Sequence, residues 1–178
     1  MLLKGMARPK PVQPATVPMR SIGSPYIALL DIETLAKSVN AVIGTIGATV
    51  VNVMTGEELG YFYTRIDVSL EQPGRITDEE TMAFWEGLSR KNTNAWAEVF
   101  DPSLPRGTLR RALESLSEFL HVMGAGGREI EVMGNGPEFD NCIIQDACRT
   151  EGGALHLAFP PQRVAENPGV DGAFAAGG

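Results

Sequence analysis

The hydrophobic positions of the first third of the chain follow strand-like patterns. Residues 26–30 (YIALL) form an apolar run of strand length,. Residues 42–53 are rich in β-branched side chains and punctuated by glycine, residues 55–57 (TGE) supply turn chemistry, and residues 59–66 resume the strand pattern,. These runs predict one strand followed by an antiparallel hairpin.

Helical spacing of apolar residues begins after the hairpin. Residues 77–80 (TDEE) have the spacing of a capping box before a short helix, and residues 108–123 carry an i, i+3, i+4 apolar stripe that ends at Gly124,. Residues 129–133 predict a strand, and residues 137–149 predict a helix,. The order βββααβα needs a parallel crossover, so we predict an α/β fold with a mixed sheet flanked by helices.

The two ends of the chain show no sustained period. Residues 1–24 contain four prolines, and residues 159–178 contain three prolines and four glycines, which oppose both helix and strand. We therefore expect a disordered leader over residues 1–24, one ordered domain over residues 25–158 and a loosely ordered tail over residues 159–178.

Charge and cysteine content narrow the functional classes. Four of the 15 basic residues lie in residues 1–25, which hold no acid, so the rest of the chain has 11 basic and 22 acidic residues. An acidic body argues against a non-specific duplex binder but suits a protein whose carboxylates hold cations.

Cys142 and Cys148 are placed on different faces of one predicted helix, which fits a reducing compartment. Without an apolar run of about 18 residues or a signal-peptide core, we expect a cytoplasmic protein with no membrane partner.

Two carboxylates follow the first predicted strand. Asp31 and Glu33 lie two residues apart, and in an extended chain such residues point to the same side. They therefore converge on one spot, where they could share a cation. Taken alone, this spacing is more typical of solvated acids at a strand end.

A third carboxylate begins the last predicted helix. The segment at residues 134–141 (GNGPEFDN) contains a strand end, a tight glycine turn and a helix start that places Asp140 in the first helical turn. The helix dipole favours an acid there, and the acid remains able to reach a shared cation. Simple stabilisation of the helix is the alternative explanation of this acid.

The order of these motifs resembles the DEDD 3′→5′ exonucleases of the ribonuclease H-like fold. An apolar strand enters DIET, and a later strand leads to N-x-x-x-F-D on a helix. The chain is most similar to the exonuclease-VIII-like and exoribonuclease-like domains of phages and prophages, through residues 43–48 (IGTIGA) and through Ile66-Asp67, Gly74-Arg75-Ile76, Thr81 and Trp85. The resemblance covers about residues 26–155 and implies hydrolysis at single-stranded DNA or RNA 3′ ends, in the bacterial host cytoplasm if the gene is a phage gene.

The resemblance also implies roles for individual residues. Asp31, Glu33 and Asp140 match the catalytic acids that hold two divalent cations, Mg²⁺ or Mn²⁺, with Asp31 bridging both and Glu33 orienting the attacking water. Thr34 and Leu35 would contact the terminal nucleotide, and Asn135 would hold the turn near the substrate. Phe84 and Trp85 are an aromatic pair that is more typical of a core than of a base-stacking site.

The third motif of that family is not recognisable. Family members carry H-x-x-x-x-D or Y-x-x-x-D on a late helix, whereas here His156 is followed five residues later by Pro161, and Asp171 is preceded five residues earlier by Glu166. We therefore expect an enzyme impaired by truncation, a changed frame or degeneration. Two alternatives stay open: a non-catalytic protein that binds nucleic-acid ends or a partner, and a structural α/β domain with incidental acids. The residues leave the oligomeric state open.

Overall fold

The computed structural model describes residues 23–91, 93–134 and 139–151. Within these ranges the elements follow the order βββαααβα. Their bounds are β1 (Tyr26–Thr34), β2 (Ile43–Asn52), β3 (Glu57–Arg65), α1 (Glu79–Ser89), α2 (Thr93–Phe100), α3 (Leu109–Met123), β4 (Ile130–Gly134) and α4 (Asp140–Thr150).

The described strands form one mixed sheet in the order β3, β2, β1, β4. β1, β2 and β3 pair antiparallel, while β4 lies parallel to β1 on its other side. The parallel pair is reached through α1, α2 and α3, because parallel strands need a long crossover. The mixed sheet flanked by helices confirms the predicted α/β fold class.

The main core lies between one face of the sheet and the helices α3 and α4. Alternate residues of β1 and β2 point to this face, because successive side chains of a strand point to opposite sides. Each large side chain that is fully buried here stabilises the fold by about 1.5–3 kcal/mol relative to exposure. The core includes Leu30, Ile32, Ile46 and Val50 from the sheet and Leu113, Leu116, Ile143 and Ile144 from the two helices.

A second cluster joins α1 and α2 to the end of β1. Leu35, Trp85 and Val99 are its buried members. Val99 packs so closely on β2 that a Cβ at Gly44 would lie 2.8 Å from its Cγ1 atom. A side chain at position 44 would therefore push α2 away from the sheet.

Three local predictions need correction. β1 continues through Thr34, so the acids lie within the strand rather than after it. The N-cap of α1 is Asp78, whose side chain accepts from the Thr81 N–H, rather than Thr77. The helix α2 was not predicted, because it has only eight residues.

The predicted leader and tail lie almost entirely outside the described residues. Ser24, which we assigned to the leader, is buried, and its hydroxyl donates a hydrogen bond to the Glu129 carbonyl. In the part of the chain that is described, no helix is long and apolar enough to cross a membrane. Cys142 and Cys148 are both on α4 and form no disulfide.

Candidate active site

Asp31 and Glu33 occupy the sheet face opposite the main core. Both residues are exposed, whereas Leu30, Ile32 and Thr34, which alternate with them, are buried. The strand pleat thus delivers both carboxylates to one side, as their spacing predicted. The same alternation fixes the backbone that carries them, because the intervening side chains are buried on the opposite face of the sheet.

Asp140 reaches β1 from the first turn of α4. β4 pairs with β1 only as far as Gly134 opposite Leu30, and the Ile32 N–H donates to Asp140 Oδ1 over 3.2 Å. Asp140 is only 3% exposed. A hydrogen bond to a buried carboxylate is stronger than one between neutral groups, so the start of α4 is tied to the backbone between Asp31 and Glu33.

The three acids influence one another electrostatically. Partial burial of its carboxyl group raises the pKa of Asp31, and the Asp140 charge raises it further. Partial burial also raises the pKa of Glu33, with further contributions from Asp31 and Asp140. Like charges raise a carboxyl pKa at short range, and the hydrogen bond from the Ile32 N–H places Asp140 beside the backbone between Asp31 and Glu33.

The chemistry of this donor set fits a hard divalent cation. Carboxylate oxygens are the ligands that Mg²⁺ and Mn²⁺ prefer, and a cation would offset both the burial and the mutual repulsion that raise the pKa values of Asp31 and Glu33. Among residues 23–91, 93–134 and 139–151, however, no three His, Cys, Asp or Glu side chains already form a group able to hold a metal ion. The fit is therefore in charge and ligand type, not in a closed coordination shell.

The backbone after Glu33 is held by a tryptophan. Trp85 is 3% exposed, and its indole Nε1–H donates to the Thr34 carbonyl over 3.0 Å. The Thr34 hydroxyl donates to the Ala36 carbonyl, which fixes the turn out of β1. Trp85 therefore positions the strand end that carries Glu33.

The other predicted substrate residues have varied surroundings. The Thr34 side chain is buried, and Leu35 is buried against the α1–α2 cluster. Trp85 belongs to the core, whereas Phe84 is 59% exposed and meets the Trp85 ring edge-on. Asn135 lies outside the described residues, as do the residues in which a third motif would fall.

A buried arginine ties the segment between β1 and β2 to α4, and the sequence pattern assigned it no role. The Arg75 side chain is fully buried and pairs with Asp146 at 3.2 Å. It also donates to the Ala41 carbonyl over 2.7 Å. The sequence offered one signal, the Gly74-Arg75-Ile76 match to the exonucleases, and the structure gives that arginine a structural role between the β1–β2 segment and α4.

A second cluster missed by the sequence analysis lies where α2 meets β3. Glu98 accepts from Arg65 Nε and Nη2 over 2.7 and 3.0 Å, and from the Tyr63 hydroxyl over 2.5 Å. The partners are at least 33 residues apart in the chain, so no local pattern indicates their contact.

Comparison with known proteins points to nucleases. The model of one family, the 3′→5′ exoribonuclease Rv2179c-like domain, matches residues 27–165. None of the curated proteins compared matches the chain. One similar solved structure is the nuclease domain of 3′hExo, a DEDDh family member bound to rAMP, at 12% identity and a TM-score of 0.47, covering 71% of this chain and 59% of that one.

Two further structures have comparable similarity. A full-length 3′-exonuclease has 13% identity and a TM-score of 0.45, over 70% of this chain and 53% of that one. Cell-death related nuclease 4 (CRN-4) has 12% identity and a TM-score of 0.40, over 65% of this chain and 37% of that one. The chain thus spans little more than half the length of the first structures it matches.

Proposed function

The chain belongs to the family of 3′→5′ exoribonuclease Rv2179c-like domains, and on that premise we propose that it removes nucleotides from the 3′ end of a single strand. Its substrate is RNA in preference to DNA, in keeping with the description of the family. The reaction depends on Mg²⁺ or Mn²⁺ held by Asp31, Glu33 and Asp140. This membership agrees with the exonuclease resemblance of the motifs.

One observation carries the proposal. The Asp140 carboxylate accepts from the Ile32 N–H between the two acids of β1 over 3.2 Å, and its charge adds to the burial that raises the pKa of both. A purely structural helix acid has no need to sit beside two like charges, because the repulsion destabilises the fold. A cation shared by the acids offsets that repulsion, and phosphate then faces positive charge.

Each residue of the site has a distinct task in this proposal. A cation at this site would supply positive charge to the phosphoryl oxygen and would make an attacking water more acidic. Asp31, Glu33 and Asp140 would hold the cation, and Glu33, next to the turn that Trp85 braces, would also orient the attacking water. The Thr34 and Leu35 backbone lines the position of the terminal nucleotide, whereas Asn135, the third predicted contact, lies outside the described residues.

A second candidate function is binding of 3′ ends without turnover. No H-x-x-x-x-D or Y-x-x-x-D pair follows Asp140 in the sequence, and loss of a general base typically lowers a rate by about 10²- to 10⁴-fold. Slow, Mn²⁺-favouring hydrolysis is the outcome we expect. Binding to 3′ ends that depends on the cation would persist even in a protein without measurable hydrolysis.

The experiment is a time course on 5′-labelled single strands of RNA and DNA with Mg²⁺ or Mn²⁺. We expect a ladder that shortens from the 3′ end, RNA faster than DNA, and protection by a 3′-terminal phosphate. Asp31→Asn removes a cation ligand and should abolish the ladder, while Glu114→Gln on the exposed side of α3 should leave it unchanged. Shortening from the 5′ end, or a ladder that survives Asp31→Asn, would contradict the proposal.

The binding alternative has its own readout. If no ladder forms, fluorescence anisotropy should still show binding of the 3′ end that requires Mn²⁺ and is lost in Asp31→Asn. Binding that ignores both the cation and the substitution would remove both candidate functions.

A further inference from the structure

A row of residues connects the acids to the far edge of the sheet. On the face that carries Asp31, the residues that lie opposite it are Gly47 in β2 and then Tyr63 in β3. Cross-strand partners point to the same side of a sheet. Tyr63 is therefore about 10 Å from Asp31, two strand spacings away on the same surface.

Gly47 leaves the middle of this row without a side chain. A Cβ added there would lie 3.7 Å from Tyr63 Cδ2 and 3.6 Å from the Asp31 carbonyl oxygen. Any larger side chain at position 47 would fill the space between the Asp31 carboxylate and the Tyr63 ring. With glycine, the surface forms a shallow passage from the acids to the aromatic ring.

The passage ends at two parallel tyrosine rings. Tyr61 and Tyr63 alternate along β3, with ring centroids 6.4 Å apart and planes within 6° of each other. Tyr61 is 63% exposed and Tyr63 is 36% exposed. Burying an aromatic ring of this size is favourable, so two exposed parallel rings beside the acids are a surface suited to a flat, aromatic ligand.

The Tyr63 ring is held in place from behind. Its hydroxyl donates to Glu98, and the Arg65 guanidinium lies 5.2 Å from its ring centroid. Burial and the hydrogen bond to Glu98 raise the pKa of Tyr63 to about 12, so the ring adds no negative charge at neutral pH. A rigid ring loses little entropy when a ligand stacks on it.

We propose that Tyr61 and Tyr63 form a stacking platform for bases of the single strand that lie 5′ to the scissile bond. The inference rests on the proposed function and adds a binding site to it. The 3′-terminal nucleotide lies at Asp31 and Glu33, the backbone passes over Gly47, and the upstream bases reach the tyrosines. The platform makes long strands bind more tightly than dinucleotides.

The charge distribution favours stacking over phosphate contacts as the source of this affinity. The positively charged Arg65 guanidinium lies beside the rings, but both carboxylate oxygens of Glu98 already accept hydrogen bonds from it. Stacking accepts every base and releases few counterions. The contribution of Tyr61 to binding should therefore be independent of base identity and nearly independent of salt.

The test measures the binding of 5′-labelled oligouridylates of two and eight nucleotides by fluorescence anisotropy with Mn²⁺. All strands carry phosphorothioate linkages, which hydrolyse slowly, so that the three acids of the site stay in place in every protein. We expect Tyr61→Ala to weaken binding of the eight-nucleotide strand at least fivefold, the lower end of a single stacking interaction. Binding of the dinucleotide should not change, and the loss should be equal at 50 and 200 mM salt.

Matched variants separate stacking from folding. Tyr61→Phe keeps the ring and should bind like the parent, while Val122→Ala removes an exposed apolar side chain from α3 and should have no effect. Equal weakening by Tyr61→Ala of the binding of both strand lengths would overturn the inference. Sedimentation gives a second check, because a dimer that Tyr61→Ala dissociates would show that the tyrosines contact another copy of the chain instead. A parent protein that binds neither strand would instead refute the proposed function, and the platform with it.

Discussion

The carboxylate of Asp140 accepts a hydrogen bond from the backbone N–H of Ile32, 108 residues earlier in the chain. This bond joins α4 to β1 at the point from which Asp31 and Glu33 project. It ties Asp140, which is buried, to the sheet, whereas an acid that only stabilised its helix would need no such contact. The geometry and charge of the site therefore depend on the same contact.

Substitutions of Asp140 should separate its structural and chemical roles. Asp140→Asn keeps an oxygen acceptor for the Ile32 N–H and removes one of three repelling charges, so the free energy of unfolding should stay equal or rise. Asp140→Ala leaves a buried donor without its partner and should cost about 1–3 kcal/mol. Urea denaturation without metal measures both. A larger loss in Asp140→Asn than in Asp140→Ala would contradict this account.

The acids of β1 should make stability fall as pH rises. Their pKa values in the folded protein lie above the ordinary values of 3.8 for Asp31 and 4.5 for Glu33. The folded state thus binds protons more tightly than the unfolded chain, and this stabilisation, complete below the ordinary values, is lost as pH rises through the raised ones. At pH values above both raised pKa values, the loss of unfolding free energy caused by these two acids is constant.

The measurement is urea denaturation in EDTA from pH 3.5 to 7, for the wild type and the Asp31→Asn/Glu33→Gln double variant. The double variant should gain stability relative to the wild type as pH rises through this window, and Mn²⁺ should stabilise the wild type alone at pH 7. Glu114→Gln on α3 is the control. A stability difference that does not vary with pH would contradict the prediction.

Trp85→Phe should weaken both the fold and the site. It removes the hydrogen bond to the Thr34 carbonyl and part of a buried side chain, which together should cost about 1–3 kcal/mol. Hydrolysis should fall further than the unfolded fraction explains, because the strand end beside Glu33 is released. Trp96→Phe, whose ring stacks on Phe100, is the matched control. Equal activity losses in the two variants would argue against a positioning role.

The Arg75–Asp146 pair should respond asymmetrically to truncation. Arg75 is fully buried, whereas the Asp146 side chain is 25% exposed. Asp146→Ala leaves a buried guanidinium without its carboxylate and should cost about 3–5 kcal/mol. Arg75→Met leaves a carboxylate that water partly solvates, so its cost should be smaller. Thermal or urea denaturation of both variants checks the order, and the reverse order would contradict it.

The parts of the fold that follow from local pattern were predictable. The alternation in β1 gave the common direction of Asp31 and Glu33, and the apolar stripe of residues 108–123 gave α3 almost to the residue. Both depend on periods of two or 3.6 residues that the chain itself displays. The position of Asp140 at a helix start followed from another local signal, the strand end and glycine turn that precede it.

The parts that depend on long-range contacts were not predictable. The helix α2 is short, and its apolar residues Trp96, Val99 and Phe100 show barely one turn of helical spacing. Its Glu98 acquires a role only through β3. Arg75 is a charged residue in a fully buried position, which composition disfavours, and its partner Asp146 lies 71 residues away. Only tertiary structure brings such groups together.

The most direct test of the central claim is a calorimetric titration of Mn²⁺ into the wild type and into Asp31→Asn, Glu33→Gln and Asp140→Asn at pH 7. If the three acids hold one catalytic cation site, the wild type should bind saturably, and each substitution should weaken the affinity at least tenfold while the protein stays folded. Isotherms that are the same for the wild type and Asp140→Asn would contradict the claim, because the acid of α4 would then be no part of the site.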